Sequence, residues 1–300
     1  MLAPLVRFAA HSEQRLEAKR MTEYELIKYD VDDPIATITL NRPEQLNAIT
    51  GSMMAEMKHA IAAAERDERV VGIVLTGAGR GFCAGADMQG LQATSRGERG
   101  SGGGNAFEDA EAGAIEEMGA ENFGVTFNYL MAVRKPIVAA INGPCAGLGF
   151  AIAMLCDIRL ASDRAVFTSA FVNRGLIAEH GLSWILPRVA GPANALDILW
   201  TGRKFYGPEA AQMGVVNRSV PHDRVVPEAE NYVRALAERS APMSLKVIKQ
   251  QVYRHLMMDT GDALRESNQL MAESLQRGDF KEGVASFVER RPPKFQRITS

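Results

Sequence analysis

An α/β fold, with a sheet-bearing core and a helical C-terminal third, is predicted by three features of the 300-residue sequence. Short β-branched runs alternate with segments whose apolar residues recur at helical spacing. Glycine-rich turns follow two of these runs, at 76–87 and 142–149. From Gly181 onward the pattern is mostly helical. The length suits one or two domains with a large buried core.

In chain order, Tyr24 to Tyr29 and Ile35 to Leu40 read as strands around the turn residues Asp32, Asp33 and Pro34, as a hairpin requires. Met53, Met54, Met57, Ile61 and Ala64 then define the apolar stripe of a helix, and Val70 to Leu75 reads as a buried strand. Ile137 to Ile141 repeats the buried-strand pattern, and Gly147 to Leu155 is an Ala-rich helix suited to close packing. Helices are expected over 181–189, 192–200, 208–213, 225–239, 243–258, 262–276 and 279–290. Residues 1–20 are expected to be a flexible extension, with Met21 opening the fold. The core is expected over 21–205 and a helical C-terminal region over 206–300. An insertion at about 91–120 combines a glycine-rich stretch with acidic residues and is expected to form a solvated surface loop, the alternative being a lid that folds over a ligand.

Composition narrows the function. Thirty-four basic and 36 acidic residues leave a net charge of -2, which supplies no global field for nucleic acid or an anionic membrane. No apolar run reaches the roughly 18 residues of a membrane helix. Cys83, Cys145 and Cys156 have neither disulfide-framework nor zinc-site spacing, so a reducing, cytoplasmic setting and no metal are expected.

The chemistry is concentrated in two turns. The strand ending at Leu75 runs into T-G-A-G-R-G-F-C-A-G-A-D, where bare backbone can approach a ligand. A dinucleotide fingerprint would need a glycine where Phe82 stands, and no G-K-S or G-K-T follows for a P-loop. The second turn, in A-I-N-G-P-C-A-G-L-G-F-A, leaves a buried strand and opens a helix, whose N-terminal amides favour developing negative charge. Two backbone-donor turns in one chain point to an oxyanion hole.

These stretches, together with I-T-L-N-R-P-E-Q-L-N-A-I upstream and P-R-V-A-G and K-E-G-V-A-S-F-V-E-R-R downstream, resemble the enoyl-CoA hydratase/isomerase, or crotonase, family over about residues 22–297. The resemblance implies a crotonase-like core of repeated ββα units and a helical C-terminal trimerisation region, in a homotrimer or a dimer of trimers. It also implies acyl-CoA substrates, with coenzyme A as part of the substrate and no separate cofactor. The thioester oxygen would be held by backbone N–H groups mapped to Ala84 and Leu148, with Ala86, Asp87 and Met88 in the substrate-binding loop. Arg290 and Arg291 on the last helix are candidates to meet CoA phosphates from a neighbouring subunit, the alternative being a simple surface role. Two such donors, each contributing about 3 kcal/mol, would stabilise an enolate and acidify the carbon beside the thioester.

The glutamates that hydratases of this family use fall on Ala151 and Phe171, neither of which exchanges a proton. Those two positions are therefore assigned to the substrate pocket. Eight residues past Phe171 stands Glu179, flanked by Leu176 and Ile177, where divergent members of the family place a catalytic carboxylate. Glu179 is the expected base. His180 is a possible partner, although adjacent residues seldom face one cavity. Double-bond isomerisation fits one mobile carboxylate better than hydration does, which usually needs separate water activation and carbon protonation. The alternative is a non-catalytic acyl-CoA binding protein in which the two apolar replacements leave only a pocket.

Overall fold

A computed structural model describes residues 24–98 and 110–298. The expectation for residues 1–20 and the glycine run at 100–104 lie outside the described residues.

The hairpin forms, but its first strand runs three residues later than the expected Tyr24 to Tyr29 and takes Asp32 out of the turn. Strands β1 (Ile27–Asp32) and β2 (Ile35–Leu40) pair antiparallel, with Asp32 opposite Ile35 beside the turn. Helix α1 (Gly51–Arg66) follows, its first turn capped by the Thr50 hydroxyl, which accepts from the Met53 amide at 3.2 Å. Its stripe of Met53, Met57, Ala60, Ile61 and Ala64 is buried. Strands β3 (Gly72–Gly77), β4 (Ile137–Ile141), β6 (Ile158–Ser162) and β9 (Arg218–Val220) add in parallel to give the sheet order β1-β2-β3-β4-β6-β9. A second sheet joins β5 (Cys145–Ala146), β7 (Val166–Thr168) and β8 (Phe205–Tyr206).

Every residue of β3 and β4 is buried, because both faces of the sheet are covered. Alternation divides them. Ile73, Leu75, Ile137, Ala139 and Ile141 join the larger core with α1 and the short helix α3 (Leu148–Leu155), whereas Val74, Val138 and Ala140 pack with Val225, Ala229 and Val233 of α7 (Val225–Arg239). Between them in sequence lie α2 (Met88–Ser95), α4 (Leu182–Ala190), α5 (Pro192–Thr201) and α6 (Gly207–Gln212). Helices α8 (Pro242–His255), α9 (Thr260–Leu275) and α10 (Gly278–Glu289) complete the chain.

Two expectations are corrected. The boundary at 205/206 cuts through the core, since β9 is the sixth strand of the main sheet and α7 covers one of its faces. The helical C-terminal region therefore begins after Arg239. The second half of the acidic insertion is also not a solvated loop: Ala112, Ala114, Met118 and Phe123 sit in the larger core. Glu65 holds this segment, its buried carboxylate accepting from the Gly113 amide at 2.6 Å and the Arg134 amide at 2.7 Å.

Asp157 ties the C-terminal layer to the sheet. Its Oδ2 accepts from the Ile137 amide and from Lys249 Nζ, each at 2.7 Å, and its Oδ1 accepts from the Tyr253 hydroxyl at 3.0 Å. The Lys249 side chain is only 7% exposed. Asp157→Ala strands that ammonium in the interior and is expected to cost about 3–5 kcal/mol, measured as a lowered denaturant midpoint.

Candidate active site

A cleft of about 830 Å³ opens where the two glycine-rich turns meet α2 and the 168–180 segment. The loop at 83–87 is fixed from below by the loop at 42–49. Leu46 and Asn47 both take left-handed backbone there, with φ of 50° and 58°. The fully buried Asn47 side chain accepts from the Arg42 amide at 2.8 Å and donates to the carbonyls of Ala78 at 3.0 Å and Gly81 at 2.8 Å. Asn47→Ala leaves these groups unpaired and is expected to lower stability by at least about 2 kcal/mol, read as a fall in thermal midpoint.

The same scaffold decides which amides face the cleft. Ala84 N–H donates to Leu46 O at 2.9 Å, so it is not available to a ligand, and the sequence-based assignment of that donor is corrected. Two residues further on, the chain is held on either side of Ala86: Ile49 N–H donates to Gly85 O at 2.8 Å and Asp87 N–H to Ile49 O at 2.9 Å. Ala86 N–H itself has no acceptor among the described residues, and neither does Leu148 N–H at the start of α3. Both residues line the cleft. Their loops are in close contact, because a Cβ on Gly149 would stand 2.3 Å from Cys83 O and one on Gly85 would stand 3.7 Å from the Leu148 nitrogen. Only glycine at 149 permits the first approach.

Asp87 lines the cleft but its carboxylate is committed elsewhere. Oδ1 caps α2 by accepting from the Gln89 amide at 3.0 Å, and Oδ2 pairs with Arg42 at 3.0 Å. Its assigned substrate-binding role thus reduces to shaping the wall. Met88 is 57% exposed at the cleft, and Leu91 and Thr94 of α2 extend the same wall, a contribution the sequence reading missed because the helix is short and weakly patterned.

Phe171 lines the cleft as expected, whereas Ala151 does not: it is wholly buried in the larger core. Leu176 lines the cleft, while Ile177 is 80% exposed and borders a separate apolar groove with Trp200. Thr168 and Ser169 also line it, their hydroxyls donating to the carbonyls of Gly202 at 2.8 Å and Ile198 at 3.0 Å. Arg290 is exposed in the left-handed cap after α10 and does not belong to the cleft of its own chain.

Glu179 and His180 both line the cleft, contrary to the expectation that neighbours diverge. The cause is a turn from Glu179 to Leu182, closed by Leu182 N–H donating to Glu179 O at 3.1 Å. Its central residues, His180 and Gly181, both have positive φ, 54° and 77°. This left-handed step breaks the alternation of side chains and brings His180 Nε2 within 3.6 Å of Glu179 Oε2. The imidazole lies edge-on to Phe127, at 5.6 Å between ring centroids, and 6.4 Å from the Phe171 ring. Burial pushes its pKa below the usual value, with the Glu179 carboxylate opposing the shift in part, so the ring is mostly neutral at pH 7.

The three thiols are buried and free, and burial pushes those of Cys83 and Cys156 up to about 12. They are not nucleophiles at neutral pH. Among the described residues no group of three His, Cys, Asp or Glu side chains could hold a metal ion, and no helix is long and apolar enough to cross a membrane.

The enoyl-CoA hydratase/isomerase family profile matches residues 30–297. The chain is 34% identical over 269 residues to the probable enoyl-CoA hydratase EchA12 of Mycobacterium tuberculosis, covering 87% of this chain and 89% of that one. It is 32% identical over 277 residues to the 1,2-epoxyphenylacetyl-CoA isomerase of Escherichia coli, covering 90% and 98%. Enoyl-CoA hydratase subunit I of Geobacillus kaustophilus superposes with a TM-score of 0.77 at 33% identity, over 91% of this chain and 99% of that one. The chain belongs to the enoyl-CoA hydratase/isomerase family and has the crotonase fold. It is an enzyme of the hydratase/isomerase type, acting on acyl-CoA thioesters.

Proposed function

We propose that the enzyme moves a double bond along an enoyl-CoA, with the thioester oxygen held by the amides of Ala86 and Leu148 and with Glu179 as the base. The observation that carries this reading is a pair of amides without acceptors among the described residues, on two residues that line the cleft together with the Glu179 carboxylate. An enolate oxygen satisfies both donors, and the charge it gains is stabilised by groups that need no rearrangement. Glu179, with 33% of its side chain exposed, is accessible to a ligand in the cleft, while Asp87 is tied down by its cap and ion pair. The apolar Phe171 and Leu176 suit an acyl chain rather than an ordered attacking water, which favours isomerisation over hydration.

Coenzyme A enters as part of the substrate, and the reading requires no further cofactor. A homotrimer, or a dimer of trimers, is supported by the C-terminal surface: α9 buries none of its residues within the chain, and Leu264, Met271, Phe287 and Val288 are exposed. In such an assembly Arg290 stands beside this surface, where it can meet the CoA phosphates of a neighbouring subunit. Free, buried cysteines fit a cytoplasmic setting.

The test is a panel of 2-enoyl-, 3-enoyl- and dienoyl-CoA thioesters followed by absorbance and mass spectrometry in deuterated buffer. Interconversion of the 3-enoyl and 2-enoyl forms with deuterium entering the α-carbon is expected. Tight acyl-CoA binding with neither turnover nor exchange would instead identify a binding protein.

A further inference from the structure

We propose that His180 is the second proton-transfer group of the cleft, paired with Glu179, so that the proton leaving one carbon of the acyl chain and the proton arriving at another travel on different side chains. This rests on the isomerase reading above and extends it to a residue the family resemblance does not supply. Three geometric facts converge on it. His180 and Glu179 share the cleft, their Nε2 and Oε2 atoms are 3.6 Å apart, and the ring is flanked by Phe127 and Phe171. A fourth concerns the backbone. A histidine occupies a left-handed position next to Gly181, which shares the positive φ. Glycine would adopt that conformation at less cost, so the imidazole is present despite the backbone preference.

The step balances without a co-reactant. The Glu179 carboxylate takes the α-proton of a 3-enoyl-CoA: the Cα–H bond breaks, an O–H bond forms, and the electron pair enters a dienolate whose oxygen lies on the Ala86 and Leu148 amides. A side-chain rotation closes the 3.6 Å gap, and the proton passes from the Glu179 carboxyl to His180 Nε2, leaving carboxylate and imidazolium. The imidazolium then protonates the γ-carbon, the dienolate pair forms the new C–H bond, and the double bond settles between α and β. Glu179 is again ionised and His180 again neutral. A single carboxylate would have to swing between two carbons to do the same work.

The experiment uses the full chain with His180→Gly, which keeps a residue suited to positive φ and therefore preserves the turn that carries Glu179. With a 3-enoyl-CoA in deuterated buffer, conversion to the 2-enoyl form is expected to fall by about 10²-fold or more, while α-carbon deuterium exchange stays within about threefold of wild type. Free imidazole added at millimolar concentration is expected to restore conversion by at least about tenfold with saturation, since the cleft then holds the missing base. His180→Asn, which also tolerates left-handed backbone, provides a second variant should the glycine form fold poorly. Wild-type conversion in either folded variant overturns the proposal. A parallel loss of conversion and exchange, without imidazole rescue, also overturns it, because His180 would then act only by placing Glu179. Failure of the isomerase reading is seen separately, in a wild-type enzyme that interconverts no enoyl-CoA or a Glu179→Gln enzyme that still exchanges the α-proton.

Discussion

Glu179→Gln is expected to lower α-proton exchange and turnover together by about 10²–10⁴-fold, while acyl-CoA binding changes by less than about tenfold. Glutamine keeps the length and the hydrogen-bonding outline of the side chain but accepts no proton. Asp87 cannot replace it, since one oxygen caps α2 and the other pairs with Arg42. The comparison of kcat with binding matters here: a carboxylate that merely positions substrate would raise KM and leave exchange intact. Normal exchange in the glutamine variant would remove Glu179 from the mechanism.

The second large effect is expected from replacing the Ala86 amide by an ester, which deletes one N–H and alters no side chain. Turnover should fall by about 10²–10³-fold, the loss typical of one oxyanion donor, with a small loss of stability because the Gly85 carbonyl that accepts from Ile49 N–H becomes a weaker ester acceptor. The same replacement at Ala84 should do the reverse, because it removes the hydrogen bond to Leu46 O that anchors the loop, at a cost of about 1 kcal/mol in unfolding free energy, and spares the donors. Measuring both esters side by side separates the two positions. Equal turnover for the Ala86 ester and the wild type would move the anion site elsewhere.

The elements were legible where one physical signal dominated. β4 and the C-terminal helices stand close to their expected limits, because a continuous apolar run or a 3.6-residue period leaves little choice. The second sheet was not legible, since β5 and β8 have two residues each and are held by pairing with chain far away in sequence. β9 was lost inside a segment read as helical for the same reason.

In the site, the two turns announced themselves through glycine, whereas Phe171 and Glu179 were singled out by the family resemblance. Which amide of C-A-G-A-D faces the cleft did not, because it depends on the carbonyl of Leu46, 38 positions away from Ala84. The shared orientation of Glu179 and His180 was hidden as well. It arises from a positive φ at a non-glycine residue, and its aromatic neighbour Phe127 lies 53 residues upstream.

The hard contact of Gly149 against Cys83 has a consequence for how such an enzyme can change its chemistry. The donors are spaced by main chain pressed on main chain, so their position is indifferent to the identity of the residues at 86 and 148. Leucine can stand at 148 without loss of the hydrogen-bonding group, and its bulk becomes a free parameter for the shape of the acyl site. Glu179 and His180, to which proton transfer is proposed, stand on a separate four-residue turn. On the proposed reading, a fixed electrophilic socket written in backbone is separate from an exchangeable acid-base cassette, so editing the cassette alone would reach new reactions on the same thioester.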